Sequence, residues 1–331
     1  MGGENVASGY KTRKTIVTKK NIEKISKNNY RLWEEFKREM VLSKGDNAKQ
    51  TLTTYKSAIL GFMIWLAENY DNMDFVKIDH RVVKNYLFYC QEELGNNGKV
   101  RNTKTSAISS LLNHCVREEY IDFNPLDKKI NRADISNEQI IEQPFLNEDQ
   151  IIELRNEIDK INDKHKKLLY SVLFELAFST ASRVGAWVQF SEDNLDLENR
   201  ILYNIREKRG KIADLSFSHS AQKSLEKWLK HKRELKAETP AIFFSKYGGT
   251  YDYMKKGTLQ GIVKDMLQMI GVEGGHAHTL RKSYANILKK KNVDVSIIQE
   301  KLLHESSDTT LKFYTKKDIK DNQKKLDKYE I

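Results

Sequence analysis

Leu52, Tyr55, Ile59, Phe62, Met63 and Leu66 recur at intervals of three and four residues. That spacing puts them on one side of a helix, as an apolar stripe that must be buried against a partner. The same pattern returns in Val82, Val83, Tyr86, Leu87 and Tyr89, and again in Thr105, Ile108, Leu111, Leu112 and Cys115. Between these last two stripes, Gly95-Asn96-Asn97-Gly98 can take positive φ and interrupts the helix. Such a block needs only its own helices to form a core. A chain of 331 residues is too long for one ordinary core, so a second domain is expected.

Asn124-Pro125 closes the helical block, because proline disfavours the α conformation in the residue before it. The polar run from Asn131 to Glu142 lacks periodicity and reads as a linker. Asn147 can then cap a new helix, with Gln150 completing a capping box ahead of Ile151, Ile152 and Leu154. A further stripe runs through Leu168, Leu169, Val172, Leu173, Leu176 and Ala177. The pattern next shortens to two strands, Ile201 to Ile205 and Ile212 to Phe217, joined by the charged turn Glu207-Lys208-Arg209-Gly210-Lys211. From Ala221 onward, helical patterns resume and continue with breaks. Before all of this, Tyr10 to Lys27 is rich in lysine and arginine and reads as a basic arm or a solvated tail. The expected division is an arm over 1–28, a helical domain over 29–131, a linker over 132–145 and a second domain over 146–331. The fold class is mainly α, with a small antiparallel β-sheet in the second domain.

Lys and Arg number 57 against 46 Asp and Glu, a formal net charge of +11. This favours a polyanionic partner, nucleic acid ahead of an anionic membrane surface. No stretch is apolar enough to span a bilayer and no leader opens the chain, so a cytoplasmic protein is expected. Cys90 and Cys115 lie in apolar patterns and read as buried, reduced thiols. His276 and His278 are the only close histidine pair and lack further metal ligands nearby. Neither a metal nor another cofactor is expected.

His278 and Arg281 are three residues apart and share a helix face, from which both could reach one phosphate. Together with Thr180-Ala181-Ser182-Arg183-Val184-Gly185, the Lys208 turn, Leu302-Leu303-His304 and Thr309 to Tyr314, the run His278-Thr279-Leu280-Arg281 resembles, in order and spacing, the tyrosine recombinases of the phage integrase and Xer type. The helical block resembles that family's core-binding, SAM-like domain, so the resemblance covers nearly the whole chain. It implies a site-specific recombinase or integrase that breaks and rejoins double-stranded DNA gripped between its two domains. Tyr314 would attack a phosphate and form a 3′-phosphotyrosine link. Arg183 and Arg281 would offset the charge on the non-bridging oxygens, to which the planar guanidinium fork is suited. His278 would take the tyrosine proton, Lys208 would protonate the leaving 5′-oxygen, and His304 would donate to the phosphate. Lys211 rivals Lys208 for its role, and Tyr329 is the weaker rival of Tyr314. The resemblance further implies self-association on DNA as dimer or tetramer, an accessory DNA-bending protein and association with the nucleoid. The residues after Tyr314, including Ile319, Leu326 and Ile331, read either as a tail helix that docks on a neighbour or as a solvated terminus.

Two positions depart from the family pattern. Ala186 stands three residues after Arg183, where the family usually carries an acid that helps orient the site. Leu303 replaces the usual glycine before His304, although glycine tolerates positive φ far better. These departures support an alternative reading, a recombinase-fold protein that binds DNA without cutting it and acts as a repressor in a prophage or mobile element. A type IB topoisomerase shares the chemistry, but the core-binding domain favours recombination over it.

Overall fold

The protein is described by a computed structural model over residues 16–44, 48–127, 130, 144–207 and 210–303. It divides into two compact units, Met1–Ile141 and Glu142–Ile331. The expected linker falls largely on residues outside those described.

The first unit is helical throughout: α1 (Lys19–Ile22), α2 (Lys27–Lys44), α3 (Ala48–Asn69), α4 (His80–Glu92) and α5 (Gly98–Arg117). Each stripe read from the sequence lies on one of the last three. Ile59, Phe62, Met63 and Leu66 of α3 are fully buried, as are Val83 and Tyr86 of α4 and Ile108, Leu111 and Leu112 of α5. They close around Leu32, Trp33, Phe36 and Met40 of α2. Burying one such side chain contributes about 1.5–3 kcal/mol, which is why the stripes, more than helix propensity, determine this unit. Asp79 accepts the N–H groups of Arg81 and Val82, and Asn97 that of Val100, so both interrupting segments end in helix caps. Cys90 and Cys115 are buried free thiols.

The basic segment is more ordered than an arm. Residues 1–15 lie outside the description, but α1 and the start of α2 fall within the span expected to be a tail. Asn29, the expected first residue of the domain, is inside α2. Its side chain donates to the Met73 carbonyl (3.0 Å) and accepts from the Phe75 N–H (2.8 Å), tying α2 to the turn after α3.

The second unit opens with the capping box: Asn147 accepts from the Gln150 N–H at 2.8 Å, and the Gln150 side chain accepts from the Asn147 N–H at 3.1 Å. Then follow α6 (Glu148–Asp159), α7 (Lys164–Thr180) and the single turn α8 (Val184–Trp187). An antiparallel sheet in the order β1-β2-β3 comes next: β1 (Leu195–Asp196), β2 (Ile201–Arg206) and β3 (Ile212–Ser216). After α9 (His219–Glu234), a second hairpin pairs β4 (Phe244–Tyr247) with β5 (Thr250–Tyr253). Helices α10 (Lys256–Met269), α11 (Ala277–Lys290) and α12 (Val295–Lys301) complete the described unit. Helix α7 is the central element. It is buried along most of its length and packs on α6, α9 and α11.

Strands β4 and β5 fall in one of the breaks expected between the helical patterns after Ala221, and form a hairpin that the sequence reading did not include. Gly248 and Gly249 both have positive φ, +57° and +92°, and make the turn that lets the tyrosine-rich flanks pair. Among the described residues, no helix is long and apolar enough to cross a membrane.

Candidate active site

Strand β2 contains the local feature that shapes the site. Its pairing with β3 runs Leu202↔Leu215 and then Ile205↔Ala213, three steps on one strand against two on the other. The extra residue is a β-bulge, and it reverses the alternation of faces beyond it. Asn204 sits at the bulge with φ +57°, its N–H bound to the Asp214 carboxylate at 2.9 Å. Leu202 and Ile205 are therefore both buried, and Glu207, two residues further on, also points inward.

Glu207 meets Arg183 there. Its Oε1 accepts the Arg183 backbone N–H at 3.2 Å and its Oε2 accepts from Nη1 at 3.0 Å. The carboxylate side chain is 1% exposed, whereas that of Arg183 is 34% exposed. The sequence places Glu207 only as the first residue of a charged hairpin turn. It is a buried acid on the predicted phosphate-binding arginine.

Gln189 splints the two segments that carry this pair. Its Nε2 donates to the carbonyls of Gly185 (2.9 Å) and Arg206 (2.7 Å), and its Oε1 accepts from the Arg206 N–H at 3.0 Å. The loop before Arg183 is fixed as well. Ala181 ends α7 in the left-handed conformation, φ +50°, and the Ser182 hydroxyl accepts from Trp187 Nε1 at 3.0 Å.

Arg281 lies near the start of α11 and is almost wholly buried. Its Nη1 donates to the Ala181 carbonyl at 2.6 Å, and its Nη2 donates to the Leu302 carbonyl. One guanidinium thus joins three segments: α11, the loop that leads to Arg183, and the end of α12. A small apolar cluster of Ala181, Ala285, Ile298 and Leu302 reinforces the same junction. Leu303 has φ +51°, the left-handed region that glycine enters freely and that costs another residue about 1–2 kcal/mol.

His278, in the first turn of α11, is half-buried. Burial, and then the positive charges of Arg281, Lys282, His276 and Arg183, push its pKa down from 6.5 to about 4. The imidazole is therefore neutral at physiological pH and has a lone pair to accept a proton. Lys211, the rival acid, is exposed, and its carbonyl accepts from the Glu207 N–H at 2.7 Å. Lys208, His304, Tyr314 and Tyr329 lie outside the described residues.

A separate group, Glu39, His114 and Glu118, is the set of side chains among the described residues close enough to share a cation. Glu39 is already bound by both Arg117 and His114, so the group reads as an ion-pair cluster of the first unit.

Residues 144–320 match the phage integrase family, and residues 18–132 match the phage integrase SAM-like domain. The chain belongs to the phage integrase family. Its curated relatives are tyrosine recombinases, the class of enzymes that break and rejoin DNA. It is 26% identical over 293 residues to tyrosine recombinase XerC of Thermodesulfovibrio yellowstonii, covering 84% of this chain and 89% of that one. It is 30% identical over 162 residues to tyrosine recombinase XerD of Mycobacterium tuberculosis, covering 47% and 50%. Among solved structures, the XerH site-specific recombinase in a post-cleavage complex with a palindromic difH substrate aligns with a TM-score of 0.67 at 20% identity, over 84% of this chain and 79% of that one. A lambda integrase dimer bound to a COC′ core site aligns with a TM-score of 0.64 at 15% identity, over 87% and 96%. These likenesses show the fold expected from the sequence, a mainly α integrase with a small antiparallel sheet.

Proposed function

We propose that this integrase-family chain cleaves and rejoins double-stranded DNA at specific sites through a 3′-phosphotyrosine link on Tyr314. The observation that carries the reading is the buried Arg281 guanidinium. It gathers the Arg183 loop and the end of α12 around the turn of α11 that holds His278.

In the proposed reaction, Arg183 and Arg281 stabilise the charge that grows on the non-bridging oxygens as the phosphorus becomes five-coordinate. Neutral His278 accepts the Tyr314 proton, since a phenol of ordinary pKa near 10 is a poor nucleophile at neutral pH. Lys208 protonates the departing 5′-oxygen, and His304 donates to the phosphate. The phosphotyrosine ester then serves as the electrophile for the 5′-hydroxyl of an incoming strand, so no external energy source is needed. Lysines and arginines of both units supply phosphate contacts, and several copies assemble on paired sites, with an accessory protein bending the DNA between them. No specific observation favours the binding-only repressor.

The test begins with duplexes that the full chain selects from a random library, rebuilt as suicide substrates carrying a nick beside each candidate scissile phosphate. The expected result is a denaturant-resistant protein–DNA adduct that Tyr314→Phe abolishes and Tyr329→Phe does not. Tight binding to the selected duplexes with no adduct from any of them would overturn the enzymatic reading in favour of the repressor.

A further inference from the structure

We infer that Glu207, the residue that follows β2, is the positioning carboxylate of this site, serving where Ala186 offers no acid. The inference rests on the reading of Arg183 as a phosphate-binding arginine and deepens it.

Ala186 is a buried core residue of α8 with no polar side-chain atom, so that turn offers the arginine no acid. Glu207 does. It grips Arg183 at two points, the main-chain N–H and Nη1, which fixes both where the residue starts and where its guanidinium ends. A carboxylate that accepted only from the guanidinium would leave the rest of that long side chain free to swing. Two-point attachment removes that freedom while about a third of the arginine stays open to solvent.

Burial makes a casual surface pair an inadequate account. An ionised carboxylate out of water is costly unless it is paired and hydrogen-bonded. The sequence meets that condition with local devices. Asn204 adopts left-handed backbone to create the bulge, and the bulge turns Glu207 inward where uninterrupted alternation from Leu202 would turn it outward. Gln189 then holds the residue just before Glu207 against the turn just after Arg183 with three hydrogen bonds. Glu207 thus gives Arg183 the carboxylate that α8 does not carry. Glu207 acts through Arg183 and touches no reacting atom, so it is a positioning residue.

The test uses the full chain with Glu207→Gln, which keeps the shape and removes the charge, Glu207→Asp, and the double variant Glu207→Gln/Ala186→Glu. Three quantities are measured: the single-turnover rate of adduct formation on the suicide substrate, DNA affinity by anisotropy, and the mobility of the Arg183 guanidinium by ¹⁵N relaxation. Glu207→Gln should slow adduct formation about a hundredfold, the loss that a misplacement of about 1 Å brings. Its DNA affinity should stay within about threefold, because many phosphate contacts share the binding, and Arg183 should become mobile while Arg281 does not. Glu207→Asp should recover about a tenth of the lost rate or more, since a carboxylate one methylene shorter still pairs with the guanidinium. Recovery in the double variant would show that the two positions are interchangeable. Where that variant fails to fold, the aspartate result and the Arg183 relaxation decide. An adduct rate in Glu207→Gln within about twofold of the parent, or unchanged Arg183 mobility, would overturn the inference. A parent chain that formed no adduct at all would sink the recombinase reading instead, and the relaxation measurement would still decide on Glu207.

Discussion

Replacing Arg281 with lysine separates the geometry of this guanidinium from its charge. Arginine presents five N–H donors in a planar fork, and here two arms of the fork reach carbonyls on different segments, Ala181 and Leu302. Lysine keeps the positive charge but concentrates its donors on one nitrogen, so it can satisfy one of those carbonyls and abandons the other inside the protein. A hydrogen bond from a charged donor contributes about 1.5–3 kcal/mol, and an orphaned buried acceptor costs about 1–3 kcal/mol. The two figures describe the same broken contact and are not summed, which puts the expected loss at about 2–3 kcal/mol. At about 2–4 °C per kcal/mol for a unit of this size, the melting temperature of the second unit should fall by roughly 5–10 °C. Hydrogen exchange read peptide by peptide is the suitable assay, because it reports the two units separately. Protection should drop in the second unit, most around Ser182, Arg183 and Leu303, and remain unchanged in the helices of the first. A loss smaller than about 0.5 kcal/mol, the range of an ordinary surface substitution, would refute the role of Arg281 as a clamp. So would a loss spread evenly over both units.

His278 should titrate by NMR with a midpoint near 4 in the free protein, and a midpoint near 6.5 would contradict the burial and charge argument. Between those two values the unfolded chain takes up a proton that the folded one refuses, so the stability present above 6.5 is lost as pH falls toward 4. Burial raises both thiol pKa values, that of Cys115 to about 12. At pH 8 neither cysteine should react with a disulfide reagent in the native protein, and both should react in denaturant; rapid labelling before unfolding would refute their burial.

The sequence made the fold legible wherever one residue's partners lie within a few turns of it. The stripes on α3, α4 and α5, the Asn147 capping box and the β2–β3 hairpin all depend on short-range spacing, and each was read from it. The β4–β5 hairpin was missed although Tyr247, Tyr251 and Tyr253 flank a Gly-Gly pair, because the segment was read only as a break between helical patterns. Near the candidate site, the sequence singled out Leu303 as a residue ill suited to positive φ, and its φ is positive. Glu207 was not. Its face depends on the phase of a strand, and one left-handed asparagine three residues earlier inverts that phase. The linkage of Arg281 to Ala181 spans 100 residues, and periodicity carries no information about contacts at that distance.

That span also sets an order of events during synthesis. The ribosome delivers Ala181 first, Arg281 a hundred residues later and Leu302 another twenty-one after that. Until Leu302 emerges, the guanidinium has the Ala181 carbonyl but lacks its bond to the end of α12. A growing chain therefore cannot close the junction around Arg183 and His278 before nearly all of the described protein has been made. The junction is thus completed late, when the last of three distant segments arrives.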